Sequence, residues 1–504
     1  MQEGWLFSFM LSANPDKSCA VFIHLTIFGE NSPMSATISE NDLSFFRQLL
    51  GSRCFAADAV TEHYASDHTE DFVFYPAVVV KPESTEEVSQ VLRYCYEHNI
   101  IVTPSGARTG LSGGALANHG GLLLSMERMN RILNIDEENH QVTTEPGVVT
   151  EALQQAVKEK GLFYPPDPAS KGSCFIGGNI AENSGGPKAV KYGVTKDYVL
   201  NLEVVLPNGE IMWTGANVIK NATGYNLTQL IVGSEGTLAV VTKIVLRLLP
   251  HPTQDILLLV PFRKATEACA AVSTLFMAGI IPSGMEFMER DAILFTLPYV
   301  DDAPDILKDD HEAHLLIELD GFNQEVLLQD CEKIMELLVQ YDIDEILFAE
   351  SQAQKDSLWK LRRKVGEAVK SHSVYKEEDT VVPRYHLPEV LIAVKTIGRK
   401  YGFHSVCYGH AGDGNLHINI LRGDLDDNAW TNELPKAIRE LFTEVVRLGG
   451  TISGEHGIGL VQRSYMDIAF SEVQLDLMRA IKQVFDPKSL LNPGKVFPDK
   501  ITGQ

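Results

Sequence analysis

The stretch that most restricts the fold is "IIVTPSGARTGLSGGA", Ile100 to Ala115, in which an apolar strand runs without a break into a loop of small residues. Upstream, "AVVVKPESTEEVSQVLRYCYEHN" supplies the rest of a strand–helix–strand unit. Ser84 with Glu87 predicts a capping box, and Val88, Val91, Leu92 and Cys95 recur at helical spacing. Such a unit delivers its loop at the carboxyl end of a strand, where open α/β sheets hold ligands. Small residues let successive backbone amides approach a diphosphate, so an anion nest is one reading of the loop and a plain turn the other. The pattern is neither GxGxxG nor GxxxxGK[ST], which disfavours the usual nicotinamide enzyme or nucleotide hydrolase.

Glycine stays dense from about Gly106 to Pro250, and apolar alternation in "GLLLSM" and "VVTKIVLRLL" predicts further strands there. After "LPHPTQ" the texture changes. Strands such as "ILLLVPF" and "AHLLIELDG" alternate with helices such as "ATEACAAVSTLFMAG" and "EVLLQDCEKIMELLVQY", the order of a ferredoxin-like or related α+β domain. With 504 residues and 44% hydrophobic content, the chain has room for two or three domains. A formal charge of −24 argues against nucleic acid or an anionic membrane as partner. An anionic substrate would then need a local cluster of cations or a metal. Seven scattered cysteines without a CxxC pair predict reduced thiols, a cytoplasmic setting and no iron–sulfur cluster on this chain. The first 33 residues hold two apolar runs, "WLFSFML" and "AVFIHLTIF", each too short to span a bilayer, and Met34 is a candidate initiator. Ser39 is the expected cap of a helix through "ENDLSFFRQLL" to Gly51.

"YGHAGDGNLHINI", Tyr408 to Ile420, sets His410 and His417 seven residues apart across a glycine-rich break. Gly409, Gly412 and Gly414 speak against a helix, and Asp-Gly between alternating apolar residues predicts a hairpin of "SVCYGH", turn "AGDGN" and "LHINI". Period-two alternation puts His417 and Asn419 on one face and Leu416, Ile418 and Ile420 on the other. A histidine pair satisfied within a sheet is the alternative to a metal or catalytic role. Farther on, "GGTISGEHGIGLVQR" sets Glu455 and His456 between glycines. Two histidines with a distant carboxylate make a zinc-type donor set with a position left open.

Two more glycine-rich segments, "PPDPASKGSCFIGGNIAENSGGPKAVKYG" (Pro165 to Gly193) and "LIVGSEGTLAVVTKIVL" (Leu230 to Leu246), complete an ordered set of three. The set resembles the FAD-binding domain of the vanillyl-alcohol-oxidase type flavoproteins. Within them it is similar to the branch of D-lactate dehydrogenase, the flavin subunit of glycolate oxidase and D-2-hydroxyglutarate dehydrogenase. The likeness runs through nearly everything after about residue 70. It implies an α+β chain with a PCMH-type FAD-binding domain at 71–250 and a substrate domain on an antiparallel, ferredoxin-like sheet at 251–430. A C-terminal helical segment at 431–504 completes the active site, residues 35–70 form an N-terminal helical segment, and 1–34 are an extension.

Residue by residue, the resemblance assigns Pro104, Ser105, Gly106, Ala107, Arg108, Thr109, Gly110, Ser112 and Gly113 to the pyrophosphate cradle. Pro166, Asp167, Ser170, Gly177, Gly178, Asn179, Ala181, Ser184 and Gly185 become flavin contacts. Glu235, Gly236 and Val240 hold the adenine and ribose end, and Asn492 in "LLNPGK" returns to the flavin. Arg108 stands where some relatives carry a flavin-linking histidine, which implies noncovalent FAD. His410, His417 and Glu455 match the ligands of a divalent metal, zinc foremost, with manganese or iron as alternatives. His456 matches the general base and Asn419 a substrate contact. Arg362 in "LWKLRRKVG" is the expected carboxylate clamp; a solvated helix face is the other reading of Arg362, Arg363 and Lys364.

The implied reaction explains these residue types. Oxidising a 2-hydroxy acid removes a hydride from the α-carbon and a proton from a hydroxyl too weakly acidic for imidazole unaided. A divalent metal on the substrate oxygens lowers that pKa, and a histidine titrating near neutrality then takes the proton. Departures from the family bear on the substrate. Gly366 stands where hydroxyglutarate members carry a threonine, and Glu377 where they carry a lysine, with Lys376 one residue away as a further candidate. "VVPR", Val381 to Arg384, resembles the glycolate and lactate members. A short D-2-hydroxy acid, D-lactate or glycolate, is therefore expected, with D-2-hydroxyglutarate as the alternative. Phe175 and Tyr375 are either pocket walls or core aromatics. The implied electron acceptor is a quinone, an electron-transferring flavoprotein or an iron–sulfur subunit. A flavin subunit active only inside a respiratory complex, peripheral to the inner membrane, is one rival reading and a flavin-free metal hydrolase another. No nucleic-acid partner and no transmembrane segment are expected, and a homodimer is compatible.

Overall fold

The computed structural model describes residues 37–56, 60, 62–69, 72–300 and 306–499. The apolar runs before Met34, and Met34 itself, lie outside the described residues. Ser39 caps helix Glu40–Leu50 with a full capping box, and Gly51 ends it at φ +58°, as predicted. Helix Thr85–His98 starts at Ser84, but its capping box is half made. The Ser84 hydroxyl accepts from Glu87 N, while the Glu87 carboxylate takes both Arg53 guanidinium nitrogens at 2.6 Å and Glu83 N at 2.8 Å. The guanidinium fork holds that carboxylate better than the single cap amide can.

The first strand–helix–strand unit folds as read. A four-stranded sheet runs in the order Cys54–Ala56, Val78–Val80, Leu122–Ser125, Val102–Ser105, with the last three strands mutually parallel. Val78, Val79 and Val80 are buried on both faces, as continuous apolar strands of parallel sheets are. Beside it lies a five-stranded antiparallel sheet, Ile132–Asp136, Gln141–Thr144, Val240–Arg247, Val199–Val205 and Ile211–Trp213.

After Pro250 a seven-stranded antiparallel sheet begins. Its order is Leu347–Phe348, Gln254–Phe262, Ala313–Gly321, Gly284–Glu289, His404–Gly409, Asn415–Leu421, Tyr375–Val381. The first four strands alternate with helices Ala265–Met277, Arg290–Thr296 and Gln324–Leu338, the β-α-β-α texture expected from the sequence. The predicted hairpin joins this sheet and does not stand apart. Leu416, Ile418 and Ile420 face the main apolar core, in which helices Ala265–Met277, Leu387–Tyr401 and Leu434–Arg447 also bury side chains. The chain then returns to the first sheet. Lys482, on helix Glu472–Phe485, donates to Thr237 O, Leu491 forms a parallel bridge to Val102, and Asn492 N donates to Val102 O at 2.7 Å. No helix among the described residues is long and apolar enough to cross a membrane.

Candidate active site

The cross-strand register assembles one polar sheet face. Asp379 stands opposite His417 and Glu377 opposite Asn419, while Tyr408 stands opposite His417 from the other side. Opposed residues share a face, so these side chains and Glu286, two positions before the Met288 that faces Tyr408, point the same way. Lys376, the sequence candidate, stands opposite Ile420 on the other face and does not line the cavity, whereas Glu377 does.

On that face His410 Nδ1 lies 2.9 Å from both oxygens of the fully buried Glu286, and its Nε2 lies 3.2 Å from Glu455 Oε1. His417 Nε2 is 3.5 Å from the same Glu455 oxygen. One donor atom from each of His410, His417 and Glu455 falls within 4.8 Å of the others, and the same holds for Glu377, His417 and His456. The His456 ring stacks on that of His417 at 5.2 Å. Arg362, buried at the end of helix Gln352–Arg363, pairs through Nη2 with Glu286 at 2.7 Å and lies over the Tyr408 ring. It is therefore no solvated helix face. Its Nε, both side-chain atoms of Asn419 and His417 Nδ1 are buried without a hydrogen bond among the described residues. Unpaired buried polar atoms are costly and rare, and a cluster of them marks a place for a ligand.

Charge is uneven across the group. Burial holds the His417 imidazole neutral, down to about 3, the form that binds metals. Burial opposes protonation of His410 as well, but Glu286 and Glu455 outweigh it and hold that imidazole well above its usual range. His456 is raised in the same way, by Asp379 and Glu377 acting against burial. Glu455, its desolvation outweighed by His410, is lowered to about 2.

The loop carrying Glu455 and His456 is gripped at one atom. Asp379 Oδ2 accepts from Ser453 Oγ at 3.1 Å and from the backbone amides of Gly454, Glu455 and His456 at 2.8, 2.7 and 2.9 Å. Neither Asp379 nor Glu286 was singled out in the sequence.

The same cavity, about 680 Å³, extends from these residues along the glycine-rich loops. Pro104, Ser105, Gly106, Ala107, Arg108, Thr109 and Gly110 line it, as do Ser170, Gly177, Gly178, Asn179, Ala181, Ser184, Glu235, Gly236 and Val240. Among the described residues no backbone amide from Gly106 to Gly110 donates a hydrogen bond, so the nest is open to an anion. Phe175 and Tyr375 are both cavity walls. The Arg108 guanidinium turns onto the Ser105 hydroxyl and the Gly106 carbonyl and braces the loop.

Other predicted contacts form the wall behind this lining. Ser112 donates to Glu182, Gly113 packs against Leu460, and Pro166 O accepts from Gln154. Asp167 pairs with Arg363 at 2.7 Å, and Asn492 Nδ2 donates to Gly114 O and Glu235 O. Gly185 abuts the metal-type trio, since a Cβ there would lie 2.9 Å from Glu455 Oε2. Glu235 spends its carboxylate on Ile458 N and Gly459 N, at 2.8 and 2.7 Å. Burial raises both Glu235 and its neighbour Glu182, and Glu182 the further, because the two amides on Glu235 pull it back.

An open, glycine-lined cleft for a large anionic cofactor, ending on a sheet face of buried bases and an arginine, defines the class: a flavoprotein-type oxidoreductase. Residues 76–215 match the FAD binding domain family, and residues 251–496 match the C-terminal domain of FAD linked oxidases. The chain is 37% identical to D-lactate dehydrogenase of Anaerostipes hadrus, covering 90% of this chain and 96% of that one. It is 40% identical to glycolate oxidase subunit GlcD of Bacillus subtilis (86% and 92%) and 35% identical to D-2-hydroxyglutarate dehydrogenase of Stutzerimonas stutzeri (86% and 94%). The solved structure of p-cresol methylhydroxylase with substrate bound shares the fold, with a TM-score of 0.74 at 18% identity over 91% of this chain and 96% of that one. The chain belongs to the FAD-linked oxidase family and is an FAD-dependent oxidoreductase of its D-lactate, glycolate and D-2-hydroxyglutarate dehydrogenase group.

Proposed function

We propose that this chain oxidises a short D-2-hydroxy acid, D-lactate or glycolate, to the 2-oxo acid. FAD is held noncovalently, and a divalent ion, zinc foremost with manganese or iron as alternatives, is held by His410, His417 and Glu455. The carrying observation is that this trio, His456 and Arg362 open onto the same cavity as the glycine-rich loops. The donor set suits a cation: one imidazole is neutral, and the buried carboxylates of Glu286 and Asp379 and the half-buried ones of Glu377 and Glu455 crowd the face. A divalent ion held there would supply acidification and alignment of the substrate hydroxyl, and FAD in the glycine-lined part of the cavity would supply a hydride acceptor.

The chain's own residues do the rest. Arg362, its Nε unpaired and its guanidinium already fixed by Glu286, receives the substrate carboxylate. Asn419 offers an unused amide to a substrate oxygen. His456 takes the hydroxyl proton onto its imidazole, and Asp379 and Glu377 stabilise the imidazolium so formed. Glu377, on the cavity wall, repels a second carboxylate, which supports a short monoacid over D-2-hydroxyglutarate, the runner-up. The electron acceptor is a quinone, an electron-transferring flavoprotein or an iron–sulfur subunit. Because the Bacillus relative is named a subunit, activity only within a complex is the second reading. Its signature is an inactive lone chain that recovers with a cysteine-rich partner.

Anaerobic addition of D-lactate, glycolate and D-2-hydroxyglutarate to purified holoenzyme should bleach the flavin absorbance with one of the first two fastest. Failure with all three would remove the substrate class. His410→Ala should lose bound divalent ion and turnover together; unchanged metal content and rate would remove the ion assignment.

A further inference from the structure

Residues Ser453 to Gly459 carry Glu455 and His456, and two buried carboxylates from different parts of the fold hold them from opposite ends. Asp379, on the seven-stranded sheet, takes the amides of Gly454, Glu455 and His456, and its second oxygen is anchored by Asn415 Nδ2 at 2.6 Å. Glu235, in the glycine-rich "GSEGT" turn that lines the flavin cavity, takes the amides of Ile458 and Gly459. The turn is itself constrained: Glu235 sits at φ +51°, its amide donates to Ala181 O and its carbonyl accepts from Asn492 Nδ2. Gly457, between the two grips, takes a φ of +81° that favours glycine, and a Cβ there would meet the Glu182 carboxylate.

We propose that Glu235 and Asp379 are positioning residues that string the Ser453–Gly459 loop between the flavin cavity and the substrate sheet, so that flavin occupancy and the placement of Glu455 and His456 are coupled. The inference deepens the proposed function, but it concerns loop order, which is measurable whatever the chain oxidises. Flavin that orders the 234–236 turn orders the loop through Glu235, and by reciprocity an ordered loop tightens the flavin. Glutamine at 235 has one oxygen for two amides; its NH2 group faces the other N–H, and one grip is lost.

The test is hydrogen exchange of the peptide spanning Ser453 to Gly459, in full-length protein with and without FAD. In the wild type, FAD should slow exchange of these amides on the order of tenfold, the range of ordinary site-to-site coupling. In Glu235→Gln, with FAD content and thermal midpoint checked, that slowing should largely vanish. KM should stay within about twofold while kcat falls on the order of 10²-fold, the signature of a misplaced base. Wild-type exchange that is indifferent to FAD overturns the coupling, and it can be read even if Glu235→Gln does not fold. A Glu235→Gln protein with undiminished slowing overturns the role of Glu235. Flavin-dependent protection without turnover on any hydroxy acid would leave this inference standing and remove the substrate reading instead.

Discussion

Replacing Glu286 by glutamine removes one negative charge from the floor of the site and changes almost nothing in shape. Glu286 is fully buried, Arg362 Nη2 lies 2.7 Å away, and His410 Nδ1 lies 2.9 Å from both oxygens. Glutamine keeps one oxygen for His410 but leaves the buried guanidinium without its counter-charge. Breaking a buried pair in this way costs about 3–5 kcal/mol. The retained His410 bond sets the expected loss at the lower end, about 3 kcal/mol. For a domain of roughly 250 residues that is a fall of about 6–12 °C in thermal midpoint. Because Glu286 also directs the His410 ring, the proposed ion site should lose about 10- to 100-fold in divalent-ion affinity. Calorimetry of the holoenzyme and competition against a chelator measure the two effects. A midpoint within about 1 °C of wild type, with unaltered ion affinity, would refute the view that this carboxylate holds both the arginine and the histidine.

Other substitutions probe separate links. Gly185→Ala pushes a methyl group to within 2.9 Å of Glu455 Oε2; it should lower kcat on the order of tenfold with flavin content preserved, as judged by absorbance and steady-state kinetics. His314, fully buried with Nε2 donating to Ile306 O, is depressed by burial to about 4, so the fold prefers the neutral ring. As pH falls below about 6.5 the unfolded chain gains a proton that the folded one refuses, and stability is lost down to the folded value. Between pH 6.5 and 5 this group alone accounts for about 1.6 kcal/mol. His314→Gln, which keeps the donor, should show a correspondingly shallower fall in thermal midpoint over that window.

What was legible in the sequence follows from which signals are local. The hairpin at Tyr408 could be read because Asp-Gly and period-two alternation are properties of neighbouring residues, and Leu416, Ile418 and Ile420 are indeed buried. The glycine-rich loops could be read because small residues in bulk are themselves the signal. Glu286 and Asp379 could not. Glu286 sits in "GMEFME", an apolar strand with scattered acids, and Asp379 closes the run "KEED", which in a sequence resembles a solvated edge. Their roles arise from contacts between segments far apart in the chain, 124 residues for Glu286 with His410 and 77 for Asp379 with His456. The placement of Lys376 and Glu377 was hidden for a related reason: one step along a strand exchanges the faces, and only the register with Ile420 and Asn419 fixes which residue looks inward.

That same register limits how such an enzyme can diverge or be re-engineered. His404–Gly409 and Asn415–Leu421 are interior strands, each paired on both sides, and the turn between them is so tight that a Cβ on Gly414 would lie 1.9 Å from Val382 O. Inserting or deleting one residue there would swing an imidazole into the apolar core and a leucine into the cleft. Helix Val365–His372 is tied to no strand register, yet Gly366, Glu367 and Lys370 on it border the same cleft. Laboratory evolution toward new acids should therefore accumulate changes on that helix and leave the hairpin length untouched.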